Sequence, residues 1–114
     1  MRFNQRFLRV IRLYSALPKN TLAQTLGKQV LRSGTSVGAN YREAKRSRSR
    51  NEFIAKIGDC LKELDETAYW LDLLVESDIL PVLKTKELSR ECDELIAILT
   101  TISKRTMAST LHHS

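Results

Sequence analysis

Histidine is almost missing from this chain. Its two copies, His112 and His113, stand at the end of 114 residues. A Ser-His-Asp or Cys-His constellation therefore has no base available through the body of the protein. Glycine and proline are scarce, at four and two copies, which argues against an all-β fold built on many tight turns. No apolar run approaches the roughly 20 residues that a membrane span requires. Residues 1–6 are not followed by an uninterrupted apolar stretch, so no secretory signal is expected and the cytoplasm is the expected location. The two cysteines, Cys60 and Cys92, lie 32 positions apart, far from metal-ligand spacing. Both fall on apolar helical stripes and read as reduced core residues. No metal and no cofactor are expected.

Positive charge is plentiful but unevenly spread. Residues 1–58 carry 13 Lys/Arg and 2 Asp/Glu, a balance of +11; residues 59–114 carry 6 and 11, a balance of −5. Two such halves attract each other between helices or between subunits, and the surplus of +6 is open to an anionic partner. At this length one domain with its own core is expected.

The apolar pattern is helical throughout. Phe3, Phe7, Val10, Tyr14 and Leu17 step by three and four and predict a first helix over 3–17, which Pro18 closes. Thr21 with Gln24 fits a capping box opening a second helix that runs to Arg46. Its stripes are Leu26, Val30, Val37 and Ala44, beside Gly27, Leu31, Gly34, Gly38 and Tyr41. A break at Ser33-Gly34 competes with one continuous helix, and propensity alone does not choose between them. Ser49 with Glu52 caps a third helix whose seam is Ile54, Ile57, Leu61, Leu64, Ala68, Leu71 and Val75, ending near Ser77-Asp78. A fourth, from Lys84 to Met107, repeats the pattern with Leu88, Cys92, Leu95, Leu99 and Ile102. Short turns between four amphipathic helices predict an all-α, antiparallel up-and-down four-helix bundle over residues 1–108. Residues 109–114 are expected to be a disordered tail.

Gly34 and Gly38 lie on one helical face. Each costs about 1 kcal/mol against alanine in a helix interior, so close approach of another backbone is expected there. Arg32, Ser36, Asn40 and Glu43 run beside them at spacings of four, four and three. This row reads as a partly buried polar network that fixes helix register, with a small-molecule site as the competing reading. Arg32 and Glu43 are three turns apart and need partners elsewhere; Glu63 and Glu66 are the natural ones for Arg32. A di-iron reading of Glu63 and Glu66 fails for want of the Glu-x-x-His motif.

The run Arg42, Lys45, Arg46, Arg48 and Arg50 puts five cations in nine residues against one acid, Glu43. The serines between them can hydrogen-bond phosphate. No exposed aromatic obviously stacks on bases, so sequence-independent backbone recognition is the chemistry on offer. A solvated turn beside a helix end accounts for the same run.

Residues 32–44, reading RSGTSVGANYREA, resemble the signature of the small bacterial four-helix-bundle proteins, the 23S rRNA intervening-sequence protein family. The likeness continues through residues 52–56 and 62–71 and covers 26–74, with a looser echo in the last helix. It implies one continuous second helix, a bundle assembled into a homo-oligomeric ring of five subunits, and no catalytic residues. A related branch, the accessory protein of diversity-generating retroelements, binds a reverse transcriptase and nucleic acid. Less sequence precedes Leu26 here than in many relatives, so the first helix is expected to be short or differently placed. The leading expectation is a non-enzymatic protein associated with RNA or DNA, or accessory to a reverse transcriptase or other nucleic-acid enzyme. The runner-up is a protein-binding adaptor whose basic surface docks an acidic partner.

Overall fold

The structure is a computed structural model and describes residues 3–112. It holds four helices: α1 (Phe3–Ser15), α2 (Thr21–Lys45), α3 (Arg50–Glu76) and α4 (Val82–His112). His113 and Ser114 of the expected tail lie outside the described residues. No described helix is long and apolar enough to cross a membrane.

The ends are set by local chemistry. Asn20, rather than Thr21, caps α2: its side chain accepts from the Ala23 N–H at 2.9 Å, and Thr21 is the first helical residue. Asparagine is among the strongest N-caps and reaches the third helical amide without strain. Gln24 therefore does not close a capping box. Its amide donates to the Pro18 carbonyl and its oxygen accepts from the Tyr14 hydroxyl, both at 2.9 Å, which ties α2 to the end of α1. Ser49 caps α3 as the sequence predicts, accepting from the Glu52 N–H at 3.1 Å, while the Glu52 carboxylate takes the Arg48 N–H at 3.3 Å. At the other end of α3, Asp78 adopts the left-handed conformation with φ 61°. Its N–H reaches the Val75 carbonyl and that of Ile79 reaches Leu74, each at 3.0 Å. This is the paired closure that more often uses glycine, and aspartate is one of the residues that tolerates it.

Each helix touches the next in sequence, and α4 closes back on α1. Val10, Val30, Val37, Ile57, Leu64, Leu71, Leu74, Leu95 and Leu99 make the deepest part of one apolar core. All but Leu74, which flanks the α3 seam, fall on the stripes the periodicity predicts. Among the described residues α1 is the shortest element, 13 residues against 25, 27 and 31.

The glycines of α2 are explained within the chain. α2 is continuous through Gly34 and Gly38. A Cβ on Gly27 would strike the Leu17 side chain, one on Gly34 would stand 2.9 Å from both Val10 methyls, and one on Gly38 would meet the Phe7 ring at 3.2 Å. The seam residues of α1 thus fill the glycine track. Consequently the track is no spare surface for a neighbouring subunit. Gly58 meets nothing within 4 Å.

Candidate nucleic-acid interface

The basic run sits where α2 ends and α3 begins. Arg42 and Lys45 occupy the last turn of α2, and Arg46 is its C-cap. Cations there complement the negative end of the helix dipole, which gives them a structural reason as well as a functional one. Arg42, Lys45, Arg46, Arg48 and Arg50 are all exposed. The Lys45 ammonium lies 5.4 Å from the Tyr41 ring centroid, and Arg50 donates to the Ser109 carbonyl of α4 at 3.4 Å. Among the described residues none of the five makes an ion pair.

Elsewhere several cations of the basic half find carboxylates on neighbouring helices, most of them in the acidic half. Arg9 of α1 pairs with the buried Glu91 of α4 and with Glu87 at 3.2 Å, and Arg6 reaches Glu94 at 4.0 Å. Arg32 of α2 meets Glu66 at 2.8 Å and Glu63 at 3.3 Å on α3. Lys56 of α3 meets Glu43 of α2 at 2.7 Å. The hydrogen bond and charge of Glu43 hold the Lys56 ammonium above its ordinary pKa. The attraction between the two halves is thus used between helices.

The polar row on α2 is two separate ion-pair sets rather than one network. Arg32 joins Glu63 and Glu66, and Glu43 turns instead to Lys56. Ser36 and Asn40 are half-buried and, among the described residues, hydrogen-bond to neither set. Burial is also less than the row's spacing suggests, since the Arg32 side chain is 47% exposed. The buried polar contact lies one position away. The Thr67 hydroxyl and the Ser33 hydroxyl, both fully buried, meet at 2.8 Å between α3 and α2. Each also bonds a carbonyl one turn back, Gln29 for Ser33 and Glu63 for Thr67. Their small polar side chains at core positions of otherwise apolar stripes were the available signal. Glu91 carried none: at 3% exposed it occupies a core-flanking position that looks like ordinary helix-surface charge in sequence.

The cysteines are core residues. Burial pushes the Cys60 thiol up to about 11 and the Cys92 thiol up to about 12. Both are free, and the Cys60 thiol points at the Val37 carbonyl, 3.7 Å away.

Four helices packed in chain order around one core, with an unpaired basic end, define a small all-α four-helix protein. The chain belongs to the 23S rRNA-intervening sequence protein family, whose model matches residues 4–101. It is similar to a solved structure from Bacteroides thetaiotaomicron VPI-5482, a protein of unknown function from the S23 ribosomal protein family. The two share 37% identity at a TM-score of 0.83, over 89% of this chain and 94% of that one. No curated protein matches the chain.

Proposed function

We propose that this is a non-enzymatic four-helix-bundle protein that binds RNA or DNA through the α2–α3 turn, or serves an enzyme acting on nucleic acid. The observation that carries the reading is the division of the cations. Arg6, Arg9, Arg32 and Lys56 are answered by carboxylates of the same chain, while the five clustered at the turn have no carboxylate partner among the described residues. Unpaired, exposed cations can neutralise phosphates and release counterions. The family's description, which names the intervening sequence of 23S rRNA, points the same way.

The bundle is read as antiparallel and up-and-down. In support, Phe7, Val10 and Leu17 meet Gly38, Gly34 and Gly27 in reverse order, and Arg32 and Glu43 meet Glu66 and Lys56 in the same reversed sense. The bundle is further read as one subunit of a cytoplasmic homo-oligomeric ring, expected at five copies from the family resemblance. A ring repeats the basic turn, so modest contacts add through multivalency. Light scattering coupled to size exclusion should give about five times 13.1 kDa; a monomer at micromolar concentration overturns the ring.

For the turn itself, fluorescence anisotropy with labelled RNA and DNA across several salt concentrations is the test. Weak, sequence-tolerant binding that falls steeply with salt is expected. Replacing Lys45, Arg46, Arg48 and Arg50 together by glutamine should weaken it and flatten the slope. No binding at low salt, or an unchanged slope in the variant, removes this reading. A protein-binding adaptor then takes first place. One observation favours that alternative: Val82 and Leu83, side by side at the start of α4, are 61% and 82% exposed.

A further inference from the structure

The basic turn has a neighbour. Between the first turns of α1 and the last turns of α2 lies an open cleft of about 870 Å³, within the roughly 300–1,000 Å³ range of small-ligand sites. Two features of the sequence hold it open. Gly38 and Ala39 leave its α2 wall without bulk, and the Phe7 ring packs on Gly38 without filling the space beyond. The remaining lining is chemically mixed: the amides of Asn4 and Gln5 from α1, and Tyr41, Arg42 and Lys45 from α2. Arg42 and Lys45 belong both to the cleft and to the basic run, so the two surfaces are continuous.

That set has the parts that a nucleotide needs. The exposed Leu8 and the half-buried rings of Phe7 and Tyr41 give an apolar wall for a base to lie against, exposed carboxamides offer a donor and an acceptor for a base edge, and the two cations take phosphate. Resting on the basic-turn reading above, we infer that the cleft receives unpaired bases of a single-stranded nucleic acid. A duplex keeps its bases stacked inside and presents mainly phosphates to the turn. A single strand uses the turn and the cleft together, in the manner of grooves that combine positive charge with aromatic surface.

The test compares strands of equal length. Anisotropy is read on the full chain with a short labelled oligouridine and with a duplex, at one low salt concentration and again across a salt series. The native protein should bind the single strand about tenfold more tightly, the size of one base stack. Ala39→Phe fills the cleft without changing charge; Asn4→Ala with Gln5→Ala strips the exposed rim without adding bulk. Either should erase most of the single-strand preference and leave duplex affinity and salt slope as they were, with an unchanged melting curve showing the fold intact. Equal native affinity for the two forms, or a preference that survives both variants, overturns the cleft and leaves the basic turn standing. Absence of binding to either form at low salt removes the turn and the cleft together.

Discussion

The two ends of α2 are built on opposite principles. From Gly27 to Gly38 the helix is answered from within the chain: α1 fills the glycine track, Thr67 meets Ser33, and Glu63 and Glu66 meet Arg32. From Arg42 onward the positive charges face solvent with no carboxylate opposite them among the described residues. The first end commits its side chains to other helices; the second holds charge that complements the α2 dipole but that no carboxylate answers. The same residue type does both jobs, so arginine content says nothing by itself. What differs is whether a carboxylate of another helix lies within reach.

The largest effect should come from the grip of α1 on α4. Arg9→Met leaves the Glu91 carboxylate buried without its main partner, and should cost about 3 kcal/mol in urea unfolding. Adding Glu91→Met should recover most of that loss. If the single variant costs no more than the double, the pair is ornamental and the comparison breaks.

Next come the glycines. Gly34→Ala forces the Val10 methyls apart; overpacking should outweigh the gain in helix propensity, for a net loss of about 1–2 kcal/mol. Gly58→Ala, in open space on α3, should instead gain about 0.5–1 kcal/mol. Equal signs for the two substitutions would show that the track is not gripped.

The core thiols give a pH signature of the answered region. Their folded pKa values, about 11 and about 12, stand above the unfolded value. The folded state therefore holds protons that the unfolded state releases, and stability present below pH 9 is lost as pH rises through 9 toward 11. A loss on the order of 1 kcal/mol for each thiol by pH 10 is expected. Thermal melts of Cys60→Ala with Cys92→Ala should show a flatter alkaline limb than the native protein; an identical limb would place the loss on other groups.

The smallest effect should come from the unanswered end. Lys45→Gln, Arg46→Gln and Arg48→Gln together should change stability by no more than about 0.5 kcal/mol. A larger loss would mean that their part in the helix dipole of α2 outweighs any role toward an anion.

Much of this arrangement is legible without the structure because it is local. A period of three and four is a property of fifteen neighbouring residues, and it marked Val10, Val37, Ile57, Leu71 and Leu99 as core before any packing was known. Ser49 with Glu52, four positions from the end of α2, spelled out where α3 begins. Even the partners of Arg32 could be named, since a short turn between two helices brings the middle of one against the middle of the next. One local signal misled: Thr21 with Gln24 reads as a capping box, yet Asn20, one residue earlier, holds the cap.

What the sequence by itself determined about this protein is its set of helices, their buried stripes, and the concentration of positive charge at one turn. Tertiary structure alone decided that Val10 and Phe7 occupy the glycine track, that Glu91 answers Arg9 across 82 positions, that Ser36 and Asn40 stay out of the ion pairs, and that a cleft opens beside the basic turn. Helical periodicity fixes which face is apolar, but an ion pair or a cleft depends on how two helices are aligned and spaced. That register is set by the whole core at once, and no single segment of the chain encodes it.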